Sequence, residues 1–369
     1  MKFIDDLISF SKSAIWKHLT WITRPVNLVM KAGFFLCLLG FGGAGWASLD
    51  VEHSSADGTH TSVSLEVSQS KPFWEPLMTC VGLIGLAMVI GESLYIISRR
   101  RKVLNIAIEH IALRERISSP LINFVSKESG GSESLSIDLT RCYRSFVVND
   151  PQEALNVTVT NLRNNFMAKK DQTGIKDITV HYGGTAPVGL GFLAGFMLGN
   201  TSHVITWDYN RDSGEWYKLA GYSDTNKPFI DWSSYQPAKE VCIIMEISHP
   251  VSTGDVRRKI PDLPYAKVSM PEIKYDNMAS KEKMDAFQVD FREMMKKLNA
   301  DGVALVHIFC AAQAAFNFCM GRQITKNHPA CIVYEYQNSL KEKYPWGVLF
   351  NTKDERSPAI IQGDKTIVV

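Results

Sequence analysis

The chain has 369 residues, 45% of them hydrophobic and 21% charged, with a formal net charge of +2. Charges cancel beyond residue 102, which excludes the positive surplus of a large duplex-binding footprint; a small anionic ligand needs only a local patch. The seven cysteines form no C-x-x-C and no Cys/His cluster at metal spacing, so they read as free, mostly buried thiols in a reducing cytoplasm, with no metal expected.

Residues 1–25 form a basic arm, and two apolar stretches follow. Residues 26–49 are 24 in number with one charge, Lys31; residues 77–98 are 22 with one charge, Glu92. Each is long enough to cross a hydrocarbon core of ~30 Å at ~1.5 Å per residue. Charge sets the orientation. Residues 1–31 carry a net +3 and 99–102 a net +4, whereas the connector 50–76 carries −4, so both termini are expected inside a bacterial inner membrane and the connector outside. Trp16 and Trp21 on one side, and Trp46, Phe73 and Trp74 on the other, suit interfacial belts. Gly45-Trp46-Ala47 resembles a signal-processing site, but the apolar run is too long and the basic region too extended for a signal peptide.

Both spans are rich in small residues, including Gly40, Gly82, Gly85 and Gly91, which permit close helix approach within a hairpin or between subunits. Lys31 and Glu92 fall near the cytoplasmic ends, where they can snorkel or pair; a pore-lining Glu92 would need several subunits, because two spans enclose no channel. In the connector, Ala56-Asp57-Gly58 before an alternating segment suggests a small hairpin. Apolar residues over 103–117 predict a stalk helix that continues the second span, and the Ser/Gly-rich 126–136 reads as a joint, so 99–133 is stalk and linker.

From residue 134 onward the pattern is built twice, at a spacing of about 126 residues. Strand 178–182, a small-residue turn at Gly183-Gly184-Thr185 and an apolar helix over 187–199 correspond to strand 303–309, a turn at Cys310-Ala311-Ala312-Gln313 and a helix to about residue 324. Earlier strands at 135–139 and 241–247 open the halves, divided as 134–239 and 240–369. Strand–helix alternation implies parallel sheets flanked by helices, whose ligands sit beyond the carboxyl ends of strands. That rule selects Thr140, Arg141, Gly183, Gly184 and Thr185 in the first half and Ser248, His249, Cys310, Ala311 and Gln313 in the second, with Arg144, Arg257 and Arg258 as further charge. Small residues there equally serve helix packing. Trp207, Tyr209, Tyr334 and Tyr336 suit base stacking but more often belong to a core. P-loop, zincin and nucleophile-elbow motifs are absent, and His181 and His307 occupy equivalent strand positions, which suggests inherited structure over a general base.

The run from Val306 through Cys310-Ala311-Ala312-Gln313 into Cys331-Ile332-Val333-Tyr334-Glu335 resembles the SAVED domain. The resemblance implies an α/β fold of two fused CARF-like Rossmann-type units, preceded here by a two-helix transmembrane hairpin. It also implies a sensor of bacterial anti-phage signalling (CBASS) that binds a cyclic di- or trinucleotide from a partner nucleotidyltransferase, with no catalytic residues. Such an effector would self-associate on binding and disrupt the inner membrane in abortive infection. A ring nuclease that degrades its ligand, and a nucleotide-independent scaffold, are the alternatives. One departure stands out: many relatives carry a proline in the turn that Cys310 to Gln313 occupy here.

Overall fold

The computed structural model describes residues 28–43, 48–54, 60–66, 74–112, 117, 119–129, 132–144, 147–167, 177–199, 203–210, 212–219, 224–353 and 357–363. It divides into two units, Met1–Lys102 and Val103–Val369.

In the first unit, helix α1 (Leu28–Gly43) leads to strands β1 (Ser48–Ser54) and β2 (His60–Glu66), then to the 29-residue helix α2 (Trp74–Lys102). The strands pair antiparallel, from Ser48 opposite Glu66 to Ser54 opposite His60, so the connector is the hairpin its pattern suggested. Within α2, Pro76–Tyr95 is the one helical stretch among the described residues long and apolar enough to cross a membrane. The first apolar run is shorter as a helix than expected: its 16 described residues end at Gly43, and by Ser48 the chain is a strand. The basic arm, Trp16, Trp21, Trp46, Phe73 and the turn at 56–58 lie outside the described residues.

Small residues let α1 and α2 meet backbone to backbone. A Cβ on Gly40 would lie 2.1 Å from the Gly82 nitrogen, and one on Gly85 would lie 2.5 Å from the Gly33 carbonyl oxygen. Gly91, by contrast, faces open space. Lys31 and Glu92 are both half-buried, and the register of the glycine contacts sets Lys31 near the Glu92 turn. Outward-facing side chains are apolar: Phe35, Leu38, Leu83, Ile84, Ile90 and Leu94 are each about half exposed or more, a surface matched to hydrocarbon.

The second unit runs β3 (Val103–Ile111), α3 (Leu121–Ser129), β4 (Ser132–Asp138), a short 3-10 turn (Thr140–Cys142), β5 (Tyr143–Arg144), β6 (Val147–Val148), α4 (Pro151–Thr160), β7 (Asp177–Gly184), α5 (Val188–Leu198), β8 (His203–Asn210) and β9 (Glu215–Lys218). It continues with β10 (Phe229–Asp231), β11 (Glu240–Glu246), α6 (Thr253–Lys259), β12 (Tyr265–Ser269), α7 (Lys281–Ala300), β13 (Leu305–Ala311), α8 (Ala314–Gln323), β14 (Ala330–Glu335), β15 (Trp346–Phe350) and β16 (Ala359–Gln362). Strand order is β4-β3-β7-β8-β9 in one sheet and β10-β12-β11-β13-β14-β15-β16 in the other.

The stalk helix expected over 103–117 is therefore overturned. Residues 103–111 form a strand paired in parallel with both β4 and β7. Ile106 and Ile108, two apart, enter the inner core while Ala107 between them joins the outer one, a period of two that no helix satisfies. This shifts the duplication. The counterpart of β11 is β3, and β4 corresponds to β12. The second sheet also recruits residues before 240, since β10 pairs antiparallel with β12.

Layers follow from which faces are apolar. The inner faces of both sheets and helices α4, α5, α7 and α8 share one core; α3 covers the outer face of the first sheet and α6 that of the second. At the centre α5 and α8 cross with touching backbones: a Cβ on Gly195 would sit 2.1 Å from the Phe318 carbonyl oxygen, and one on Gly321 2.0 Å from that of Phe192. Tyr182 stacks on Phe318 with ring centroids 3.7 Å apart, so a residue of one half packs on its counterpart's helix.

Candidate functional site

Both halves place their parallel-strand switch between the first strand and the strand that precedes the crossing helix: β3 and β7, then β11 and β13. In the first half this edge closes on itself. Thr185 donates its N–H to the His110 carbonyl (2.9 Å), and its Oγ1 accepts from the Ala112 N–H (3.1 Å). Gly183 and Gly184, expected to admit a ligand, are buried and serve packing: a Cβ on Gly183 would meet Trp216 at 2.8 Å, and one on Gly184 would meet His110 at 3.1 Å. Thr140 turns back to Asp138, donating its N–H (2.9 Å) and hydroxyl (2.7 Å) to one carboxylate oxygen. Arg141 and Arg144 are exposed nearby, because the Leu139 N–H on the Ile111 carbonyl aligns the ends of β4 and β3.

The second half bonds across its edge in the same way but leaves two buried side-chain atoms unpaired among the described residues. Ser248 donates its N–H to the Ala311 carbonyl (2.9 Å), which joins the two predicted turns. The Ser248 side chain is buried, yet its Oγ has no partner among the described residues. Gln313 precedes α8 and accepts the Met278 N–H on Oε1 (3.1 Å), while its Nε2 has no partner among the described residues. His249 is exposed, edge-on to Tyr275 with centroids 4.9 Å apart, and Tyr275 is 75% exposed. Cys310 does not face this edge: its buried thiol contacts Asn317 Oδ1, and burial pushes its pKa up. All seven cysteines are free thiols.

The departure at the turn becomes intelligible here. Gln313 lies one repeat after Pro187, and the two backbones match, at φ −63°, ψ 155° and φ −49°, ψ 147°. Glutamine keeps the proline-like conformation and adds an amide.

Sequence reasoning missed the segment between β12 and α7, which stitches the edge together. Tyr275 meets His249, the Asn277 amide donates to the Ile247 carbonyl (2.7 Å), and Met278 binds Gln313. Asp276, at φ 55°, stands beside Tyr217 of the first sheet. Burial, Asp208 and Asp276 together raise the Tyr217 phenol's pKa, so it stays protonated as a donor. The only sequence signal for this segment was its polar, aromatic content.

Glu335, at the end of β14, was also missed as a functional group. Its Oε2 accepts the Val188 N–H at the start of α5 (2.7 Å), a bond between the halves. Some of the residue remains exposed but its carboxyl group is enclosed, and burial raises its pKa to about 8 against the lowering pull of the Val188 N–H.

The strand histidines are structural. His181 accepts from Trp207 Nε1 (3.1 Å), and His307 pairs with Tyr334 Oη (3.0 Å); the ladders place Trp207 and Tyr334 at equivalent positions. Burial lowers the pKa of His181 to about 4 and of His110 to about 3. Trp207 and Tyr334 are core residues, as the packing alternative held, whereas Tyr336 is exposed.

The chain thus comprises an N-terminal unit with two apolar helices and a duplicated α/β unit. The family model described as "SMODS-associated and fused to various effectors sensor domain" (SAVED) matches residues 159–350. The chain belongs to the SAVED family. A second model, "SAVED-fused 2TM effector domain", matches residues 5–155 and associates the chain with a membrane. Among solved structures, the chain is similar to the Acinetobacter baumannii Cap4 SAVED/CARF-domain containing receptor with the cyclic trinucleotide 2'3'3'-cAAA, at 10% identity, covering 73% of this chain and 58% of that one with a TM-score of 0.47. The same receptor with 3'3'3'-cAAA matches at 10% identity, 72% and 57% coverage and a TM-score of 0.48. The Moraxella osloensis Cap4 receptor matches at 12%, 72% and 56%, with a TM-score of 0.43. The chain thus spans less than two thirds of the length of these structures. No curated protein matches.

Proposed function

We propose that the chain is a non-catalytic membrane effector of anti-phage defence, gated by a cyclic di- or trinucleotide that a partner nucleotidyltransferase supplies. The observation that carries this reading is the pair of buried, unpartnered polar atoms, Ser248 Oγ and Gln313 Nε2, at the carboxyl edge of the second sheet in a sensor-family domain. Both can donate to phosphate or base oxygens; leaving such groups unbonded in a dry site costs free energy, which a bound ligand would recover. Tyr275 and His249 offer a ring surface for a base, and Arg141 and Arg144 offer exposed positive charge. Enclosed histidines with lowered pKa values support binding over acid–base cleavage.

Binding drives self-association only if the assembled state holds the nucleotide more tightly than the monomer does. Clustered hairpins then disrupt the inner membrane, with both termini cytoplasmic. Titrating the full chain in detergent with a panel of cyclic oligonucleotides, followed by mass measurement, tests the reading. Tight binding with growth in mass is expected; no binding by any member rejects it.

A further inference from the structure

On the outer face of the second sheet, α6 and the β14–β15 segment flank a cleft of about 450 Å³ whose lining includes none of Ser248, His249, Tyr275 or Gln313. Its walls are Asp255, Arg258 and Lys259 from the helix and Lys341 to Tyr344 from the loop, four cations against two carboxylates. The Lys259 side chain is only 5% exposed, with its Nζ 2.5 Å from Glu342 Oε1 and 5.9 Å above the Tyr334 ring. Glu342 lines the cleft but is 52% exposed, so this carboxylate is the accessible partner of a buried ammonium. Arg258 pairs with Asp255 on the rim. Lys343 donates to the Asn338 carbonyl (2.6 Å) and Lys341 has no partner among the described residues, so neither is neutralised by a carboxylate. In the same loop, buried Gln337 leaves its Nε2 unpartnered among the described residues.

A nearly buried ammonium with a removable counter-ion, two uncompensated lysines and an aromatic floor describe a receptor for a compact anion. The volume lies within the small-molecule range of roughly 300–1,000 Å³. We propose that this cleft is a second, separate anion site that takes a phosphate-bearing ligand, which displaces Glu342 from Lys259. The phosphate has two sources, a soluble polyphosphate or nucleotide and a lipid headgroup, and the test separates them.

The full chain in phosphatidylcholine nanodiscs is titrated by calorimetry with inorganic tripolyphosphate, then with dihexanoyl-phosphatidylglycerol, with dihexanoyl-phosphatidylcholine as control. At least one anion is expected to bind at one site per chain. Lys341→Glu with Lys343→Glu should weaken it about tenfold or more, equivalent to about 1.4 kcal/mol. Glu342→Gln, which removes the competing carboxylate, should tighten it severalfold, and Arg257→Glu, outside the lining, should leave it unchanged. Binding of tripolyphosphate alone assigns a soluble ligand, and of phosphatidylglycerol alone a headgroup. Failure of both to bind, full affinity in the double variant or weaker binding in Glu342→Gln overturns the proposal.

Discussion

Replacing Glu335 by Gln probes the bond between the halves, because glutamine has the shape of the protonated acid and still accepts the Val188 N–H. In the folded protein burial pushes the carboxyl up to about 8, from about 4.5 for a free glutamate. Between those pH values the native state holds one proton that the unfolded state has released. Stability from this group is therefore fully present below ~4.5 and falls as pH rises toward ~8, at about 1.4 kcal/mol per pH unit. From about pH 5.5 to 7.5 the loss is about 3 kcal/mol, or about 6 °C or more in melting temperature for a unit of this size. Lowered histidine pKa values act with the opposite sign: stability from His181 rises with pH between about 4 and the 6.5 of a free imidazole. The difference between wild type and Glu335→Gln isolates the carboxyl. Melting curves of the full chain in detergent, followed by tryptophan fluorescence across this range, should show a steeper decline in wild type. Parallel pH profiles for the two proteins would refute the argument that an enclosed acid joins the halves.

The unpaired atoms at the second edge predict a division between stability and binding. Ser248→Ala should leave the melting temperature unchanged or raised, since it removes an unbonded polar atom, whereas Gln313→Leu also removes the acceptor of the Met278 N–H and should lower it; each should weaken cyclic trinucleotide binding about tenfold in titration calorimetry. Tyr275→Ala, at a 75% exposed ring, should cost ~1–3 kcal/mol of binding if a base stacks there and leave folding intact. Gly321→Ala should destabilise by ~1–3 kcal/mol or more in thermal unfolding, because its methyl would lie 2.0 Å from the Phe192 carbonyl oxygen. Gly40→Leu, aimed 2.1 Å from the Gly82 nitrogen, should split the helical hairpin and abolish ligand-induced leakage from vesicles.

The periodic parts of the fold were legible. The apolar α2, the connector hairpin, the repeat of strand, small-residue turn and crossing helix, and the equivalence of His181 with His307 all followed from residue patterns. The failure at β3 has a physical cause. A central parallel strand is buried on both faces, so its near-continuous apolar run lacks the clean alternation of a half-exposed strand. Placed directly after a long helix with no breaker between Lys102 and Val103, it imitated a continuation. That error misplaced the first switch point and drew attention to Thr140 in place of Glu109 and His110. At the site, the sequence located the turns but not their state of satisfaction. Nothing in Gly183-Gly184-Thr185 announces that Trp216 and His110 fill the space above them, because those partners are 33 and 74 residues away.

The duplication itself argues for a one-sided grip on the ligand. Each half retains the strand histidine with its aromatic partner and a buried glutamate that accepts a backbone N–H near the next helix: Glu109 from Leu121 (3.1 Å) and Glu246 from Val251 (3.0 Å). Those shared features hold the scaffold. What differs is the turn before the crossing helix, where the first half has Pro187 and the second has Gln313. Proline offers no side-chain donor, and Thr185 beside it already spends its hydroxyl on Ala112. Restoring symmetry by Gln313→Pro keeps a compatible φ of −63° but deletes the amide. If the asymmetry serves recognition, that variant still folds, with a melting temperature lowered by the loss of the Met278 N–H acceptor (about 1–3 kcal/mol), and loses nucleotide affinity. Undiminished affinity in a folded Gln313→Pro chain would mean that the unpaired amide plays no part in recognition.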